Sequence, residues 1–313
     1  METPLKLIEC VPNFSEGKDT QIITQIANAV QSVVGVKLLD IDPNADANRT
    51  VITFAGTPEL VCEAAFRAIK KASELIDMRQ QRGAHPRIGA TDVCPLVPLQ
   101  GVSMEETVKY AHLLSQRVAS ELAIPIYCYE NAALSEERRN LAFLRKGEYE
   151  GLAERMKNVN FHPDFGEAIF NAKAGATVIG ARDILIAYNF SLSTKSVEIA
   201  RQIASEIRES GYWKVENGQK VKVEGKLQHL KAIGWYMEGY GLAQVSTNLT
   251  NFRKTTLRTV FEEISKIAAK YGVQVVGTEL IGLLPQKALT KGISPFEPEK
   301  KVIEWLLGID ALS

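Results

Sequence analysis

The feature that most restricts the fold is an order of elements that occurs twice. Leu7–Val11 reads as a short apolar strand. Asp19–Val33 has helical spacing, with Ile22, Ile23, Ile26, Ala27 and Val30 on one face. Val36–Ile41 and Asn48–Ala55 read as strands on either side of a turn rich in Pro, Asn and Asp. Thr57 is the expected N-cap of a helix that has Pro58 at its first position and runs to about Ile76. Thr91–Val97 then reads as a strand. The second half repeats the series: strand Ile184–Ser191, helix Thr194–Arg208, strands Leu230–Glu238 and Leu242–Asn248, helix Thr255–Lys270, strand Val273–Leu280. Asn13-Phe14-Ser15 follows the first strand of one copy, and Asn189-Phe190-Ser191 ends the first strand of the other.

The order β-α-β-β-α-β is the split βαβ arrangement of ferredoxin-like folds. The expected fold class is therefore α/β in the broad sense (α+β), with two ferredoxin-like βαββαβ subdomains. A chain of 313 residues suits two such units, divided as 1–180 and 181–313. Helices cover one face of each sheet. The other faces are expected to look toward a ligand cleft. Between the copies, Glu105–Leu122 reads as a helix and Pro125–Tyr129 as a strand. Ser135–Arg145 reads as a helix with Glu136, Glu137, Arg138 and Arg139 on its wet side. Two glycines and mixed polarity make Gly166–Gly175 a loop. A final helix is expected around Pro298–Leu307.

Charge and motifs remove several function classes. Thirty-seven basic side chains balance 37 acidic ones, without the basic excess of a protein that grips phosphates. Cys10, Cys62, Cys94 and Cys128 form no CxxC and no zinc spacing, so they read as small buried hydrophobes and no metal is expected. The N-terminus carries no signal peptide, and no apolar run reaches membrane-spanning length. A reduced, cytoplasmic setting with no membrane partner is the expectation. GxxxxGK[ST], GxGxxG and GxSxG are all absent, which disfavours phosphate-loop, dinucleotide and α/β-hydrolase chemistry.

Of the four histidines, His112 sits in a helical pattern and reads as a packing residue. His162 lies in a loop, and His229 beside a strand start. His85 differs, because its loop Arg82-Gly83-Ala84-His85-Pro86-Arg87 is polar, rich in Gly and Pro, and flanked by arginines. Rigid loops concentrate function, and imidazole both accepts and releases a proton near neutral pH. A solvated histidine in a structural loop explains the same residues, so both readings stay open. Asp92 is placed to orient the imidazole or to cap a turn. Turn chemistry explains most of the acidic segment Asp40–Arg49. Asp42 and Arg49 remain candidates for amine and carboxylate contacts, and Arg87 for a bidentate carboxylate contact.

Several long motifs together resemble the formimidoyltransferase family. They are Glu9-Cys10-Val11-Pro12-Asn13-Phe14-Ser15-Glu16-Gly17, Asn48-Arg49-Thr50-Val51 and, above all, Arg82-Gly83-Ala84-His85-Pro86-Arg87-Ile88-Gly89-Ala90-Thr91-Asp92-Val93-Cys94-Pro95. Gly175-Ala176-Thr177-Val178, Ala232-Ile233-Gly234-Trp235-Tyr236, Ala243-Gln244-Val245-Ser246-Thr247-Asn248 and Gly277-Thr278-Glu279-Leu280-Ile281-Gly282-Leu283-Leu284-Pro285 extend the resemblance over nearly the whole chain.

The resemblance implies two α/β subdomains and transfer of a formimidoyl group from N-formimidoyl-L-glutamate to tetrahydrofolate, a co-substrate, in histidine breakdown. It implies that His85 is the catalytic histidine. It also implies that Gly166, Glu167, Ala168, Ile169, Phe170, Asn171, Ala172, Lys173, Ala174 and Gly175 form the folate-binding stretch. The motifs put forward Asn13, Ser15, Asp42, Arg49, Arg87, Asp92, Asn189 and Glu279 as weaker substrate contacts. A homodimer stays open. The chain is expected to lack the cyclodeaminase region that follows this part in the fused relatives. Two readings compete: a folate-dependent cycloligase acting on 5-formyltetrahydrofolate, and a non-enzymatic tandem ferredoxin-like unit that binds RNA or a regulatory ligand. No RNP-like row of aromatics supports the RNA reading.

Overall fold

The computed structural model of the chain describes residues 5–290, 293, 298–310 and 312. Two compact units divide the chain, the first ending at Arg182 and the second beginning at Asp183. The fold is mixed α/β in both.

In the first unit, β1 (Leu7–Cys10) and β2 (Asn13–Phe14) are two parts of one edge-to-edge path, interrupted at Val11-Pro12. Then follow α1 (Thr20–Gln31), β3 (Lys37–Asn44), β4 (Arg49–Gly56), α2 (Pro58–Leu75), β5 (Thr91–Gln100), α3 (Met104–Leu122), β6 (Ile126–Glu130), α4 (Leu141–Leu144), α5 (Glu148–Arg155) and β7 (Thr177–Ala181). The sheet runs β3-β4-β1/β2-β5-β7-β6. Pairing is antiparallel as far as β5, and β7 lies parallel to both β5 and β6.

Side-chain alternation decides what each face meets. Ile8, Cys10, Phe14, Ile52, Phe54, Cys94 and Leu96 pack with the apolar sides of α1, α2 and α3. The expected stripe of α1 is buried at Ile23, Ile26, Ala27 and Val30. Full burial of an aliphatic side chain of that size stabilises by about 1.5–3 kcal/mol. Asp19 caps α1 through Gln21 N and Ile22 N, and Ser103 and Glu106 form a reciprocal cap on α3. Val93, Tyr127, Tyr129 and Val178 form a second core with Leu144, Leu152, Met156 and Phe161. This second core holds the segment between β6 and β7 against the sheet.

The second unit contains β8 (Ile186–Leu192), α6 (Val197–Ile207), β9 (Tyr212–Glu216), β10 (Gln219–Val223), β11 (Leu230–Met237), β12 (Leu242–Leu249), α7 (Leu257–Lys270), β13 (Val275–Ile281), α8 (Pro298–Lys301) and α9 (Ile303–Leu307). Its main sheet is antiparallel, in the order β11-β12-β8-β13. With the β9–β10 hairpin set aside, this is second-third-first-fourth. The first unit has the same order in β3-β4-β1-β5. Tyr188, Phe190, Ile203, Ile207, Ile264 and Ile267 lie in one core.

Several expected elements are corrected. Ser135–Arg145 is not one helix: a 3-10 turn at Glu136–Arg139 and the short α4 are separated by Asn140, whose side chain accepts from Ala142 N. Arg138 is not on the wet side. It is buried, with its guanidinium donating to the Asp164 carboxylate and to the carbonyls of Asn160 and His162. An inward cation with several acceptors outweighs helical continuity here. Thr57 occupies the N-cap position of α2 but makes no side-chain cap hydrogen bond. The final helix is broken at Val302, where the backbone pairs with Leu284: Leu284 N donates to Lys301 O and Ile303 N donates to Leu284 O. Strand β7 and the β9–β10 hairpin are not marked by the periodicity of the sequence. The hairpin is two exposed strands joined by Asn217 and Gly218, both with positive φ.

Candidate active site

The His85 loop leaves α2 at Ile76 and enters β5 at Thr91. Backbone contacts fix its course. Gly83 lies so close to the chain at Ala47 that a Cβ there would stand 2.2 Å from Ala47 O. At Gly89 a Cβ would stand 2.0 Å from Ala176 O. Only glycine permits these approaches. Ser15 Oγ donates to Gly89 O at 2.7 Å, and Ser15 N donates to Ala90 O at 2.9 Å. The loop is thus pinned at the end of β2.

A second brace comes from the turn before α1 and the turn before β4. Glu16 accepts from Lys18 N and Asp19 N with one carboxylate oxygen and from Gln81 Nε2 at 3.0 Å with the other. Asn48, with φ of +46°, accepts from Gly17 N and donates to Gln81 and to Arg82 O. Glu16, Asn48 and Gln81 stand out in the structure as supports of the loop. In sequence they are ordinary turn residues.

At the centre is a charged cluster. Arg49 Nε donates to Asn13 Oδ1 at 2.8 Å, and its Nη1 donates to Asp92 Oδ2 at 2.8 Å and lies 3.1 Å from His85 Nδ1. Asp92 is fully buried. Its Oδ1 accepts from Ile88 N at 3.0 Å and from Arg145 Nε at 3.3 Å, and its Oδ2 also accepts from Arg145 Nη2. Burial by itself raises the Asp92 pKa, but Arg145 and Arg49 overcome it and hold the carboxyl at about 2. Arg49 is drawn down to about 10, first by burial, with Arg145 adding to the shift and Asp92 opposing it.

Burial, then the charges of Arg49 and Arg145, push the His85 pKa well below the usual imidazole value. Asp92 and the Pro86 carbonyl oppose this without reversing it. The ring is neutral at neutral pH and can act as a base. Its Nδ1 lies 2.8 Å from Pro86 O. That carbonyl only accepts and the Arg49 guanidinium only donates, so Nδ1 serves one at a time. With the proton on Nδ1 and donated to Pro86, the lone pair is on Nε2.

The structure thus brings together Asn13, Arg49, His85 and Asp92, with Ser15 holding the loop's end. Arg87, two residues from His85, is engaged elsewhere. Its Nη1 donates to Glu148 and Glu150, and its Nη2 to Glu150 and Gln81 O. Asp42 is partly exposed on β3, opposite Val51. Asn189 and Glu279 meet in the second unit, Nδ2 to Oε2 at 3.1 Å, and Tyr240 Oη donates to Glu279 Oε1 at 2.8 Å. His112 Nε2 donates to Ala132 O at 2.8 Å, and His162 is exposed.

The segment Gly166–Gly175 is irregular, and one end is tied to the His85 loop. Gly89 and Gly175 form an antiparallel bridge, and Ala90 N donates to Ala174 O at 2.8 Å. Gly175, at φ +68°, leaves no room for a Cβ beside Ile88 O. Asn171 closes the turn by accepting from Ala174 N and Gly175 N. Glu167, Ala168 and Ile169 are exposed, whereas Ala174 and Gly175 are buried. Among the described residues there is no cluster of three His, Cys, Asp or Glu that could hold a metal, and no helix long and apolar enough to cross a membrane.

Arg145 is the member of this cluster that the sequence does not single out. It follows a segment read as an exposed helix, and no local pattern marks its side chain as turned toward Asp92. A signal existed only in the charge at Asp92, which needs a cation from somewhere.

A family profile described as "Formiminotransferase domain, N-terminal subdomain" matches residues 7–182, and one described as "Formiminotransferase domain" matches residues 187–294. The chain is 44% identical to formimidoyltransferase-cyclodeaminase of Mus musculus over 96% of its own length, and spans about 60% of that relative. It is 41% identical to glutamate formimidoyltransferase of Streptococcus pyogenes serotype M1, over 96% of this chain and 98% of the relative. The corresponding protein of Thermoplasma acidophilum is 44% identical, over 91% and 90%. The two profiles together match most of the chain, and the first contains every residue of the cluster around His85: the chain belongs to the formiminotransferase family.

Proposed function

We propose that this chain is a glutamate formimidoyltransferase, which moves the formimidoyl group of N-formimidoyl-L-glutamate to N5 of tetrahydrofolate and releases L-glutamate. The observation that carries the reading is the His85 imidazole 3.1 Å from the guanidinium of Arg49, which shares Asp92 with Arg145, on a loop bridged through Gly89 to the 166–175 segment. Residues 1–180 and 181–313 act as the two formimidoyltransferase subdomains. A ferredoxin-like βαββαβ plan for each is supported by their common strand order. The setting is the cytoplasm, which suits four unpaired thiols.

The proposed chemistry needs one proton moved twice. N5 attacks the formimidoyl carbon and forms the new C–N bond. His85 Nε2 takes the N5 proton while Nδ1–H donates to Pro86 O. The imidazolium then gives its Nε2 proton to the glutamate nitrogen as that C–N bond breaks. Burial and the two arginines make the imidazolium short-lived, which favours the second transfer. Holding both substrates turns a bimolecular step into a local one. Tetrahydrofolate is proposed to lie along Gly166–Gly175, a stretch whose Ala174 and Gly175 are tied to the His85 loop. Arg49 suits a carboxylate of the glutamate half. Arg87 suits it less, because two glutamates already share its guanidinium.

Incubation with tetrahydrofolate and N-formimidoyl-L-glutamate tests the reading: stoichiometric release of L-glutamate is expected without ATP. Absence of release, with ATP-dependent turnover of 5-formyltetrahydrofolate, overturns it.

A further inference from the structure

The cluster at Asp92 contains one more positive charge than it needs. One carboxylate neutralises one guanidinium, yet Arg49 and Arg145 both bind Asp92. The groups that act most strongly on His85 include these two cations and this one anion. Elsewhere in the same unit the balance differs: Arg87 has two glutamates, and Arg138 has Asp164. A surplus buried cation is costly unless an anion joins it.

The donors left unused indicate where an anion would bind. Arg145 uses Nε and Nη2 on Asp92, and Arg49 uses Nε on Asn13 and Nη1 on Asp92 and His85. Among the described residues, Arg145 Nη1 and Arg49 Nη2 have no hydrogen-bond partner. Neither is a buried orphan, since Arg87 Nε is the arginine nitrogen with that standing. Asp92 holds both guanidiniums in place, so their remaining N–H groups are oriented before any ligand arrives.

We infer that Arg145 and Arg49 together form a seat for one carboxylate of the glutamate half of the substrate, with Arg145 as its specificity-determining residue. The inference rests on the proposed transferase reading for the identity of the anion. It explains a feature that an orienting role for Asp92 leaves over, because orientation of Arg49 requires no second arginine. A ligand carboxylate would bring the local charge to two cations and two anions.

The test compares N-formimidoyl-L-glutamate with its α-carboxamide and γ-carboxamide analogues, in the wild type and in Arg145→Met and Arg145→Lys. The wild type should prefer the diacid to one of the two amides by about 10- to 100-fold in kcat/KM, the scale of one hydrogen bond to a charged group. Arg145→Met should raise KM for the diacid by a similar factor and abolish that preference, and Arg145→Lys should restore part of it. A preference that survives intact in a folded Arg145→Met protein overturns the seat, whatever happens to stability or kcat.

Calorimetric titration with L-glutamate and L-glutamine keeps the seat testable apart from turnover. Glutamate is expected to bind the wild type at least about 10-fold more tightly than it binds Arg145→Met, with Arg145→Lys between the two. Equal binding in all three overturns the seat even if transfer is observed. Failure of transfer with binding as expected removes the transferase reading and leaves the seat standing.

Discussion

The two units place the same tripeptide at corresponding strands and use it in opposite ways. In the first unit Asn13 accepts from Arg49, a cation linked to Asp92 and His85. In the second, Asn189 donates to Glu279, an anion also held by Tyr240. Asn13 reaches Arg49 on β4, the third strand of its unit, whereas Asn189 reaches Glu279 on β13, the fourth strand of its own. An amide carries both a donor and an acceptor, so one scaffold position accepts either charge. The lesson is that the shared strand order supplies position, and the neighbouring charged residue supplies chemistry. The first unit also extends its sheet by two parallel strands and buries a multi-residue ion cluster. The second instead adds an exposed hairpin.

That contrast is most strongly tested at His85. His85→Ala should lower transfer by about 100- to 10,000-fold, the contribution of one positioned acid–base group, while L-glutamate binding persists. Steady-state rates with calorimetry check both parts, and near wild-type turnover would remove His85 from the mechanism. In the wild type the acid limb of the rate profile should lie well below the ordinary histidine value of about 6.5, since burial and two arginines disfavour the protonated ring. Arg145→Met removes one of those cations, so the limb should move upward.

Next in size is Asp92→Asn. Removing the anion from a buried cluster with two cations should cost on the order of 3–5 kcal/mol, read as a fall in urea midpoint. Asn189→Ala in the second unit should cost only about 1 kcal/mol, the usual worth of a hydrogen bond. Equal costs would erase the contrast between the units. The Asp92 carboxyl is held at about 2 in the folded chain, below its ordinary value of about 4. It therefore adds stability above pH ~4 that is lost as pH falls toward about 2. Stability of the asparagine variant should be flatter across that window.

Gly89→Ala tests the bridge between the His85 loop and the 166–175 segment. The added Cβ meets the backbone at Ala176 O, so a loss of about 1–3 kcal/mol is expected. Hydrogen exchange at Ala90 and Ala176, whose amides donate to Ala174 O and Ile88 O, should accelerate, and unchanged protection would show that the bridge is dispensable. The smallest effect is expected in the second unit. Replacing Tyr212–Val223 by a short Gly/Ser turn should change stability by less than about 1 kcal/mol, because an isolated exposed hairpin contributes little. A larger loss in thermal denaturation would show that the hairpin packs against something the contrast leaves out.

Much of this protein was readable without coordinates. Period-two and period-3.6 patterns disclose the repeated strands and helices of both units, though not β7, the β9–β10 hairpin or the break in Ser135–Arg145, and the His85 loop is conspicuous for its Gly, Pro and Arg content. Those signals are local, so an element's own residues carry them. The tertiary structure alone decided the relations that cross long stretches of chain. Strand β7 enters parallel beside β5, though the residues between them are mostly α3, β6 and the segment with α4 and α5. Arg138 turns inward, against its apparently wet surroundings, because Asp164 and two carbonyls meet it there. Arg145 joins Arg49 on Asp92, although the three are widely separated in sequence. Local patterning determines which segments bury a face. Which charges share a buried site depends on how those faces pack, and no stretch of sequence contains that information by itself.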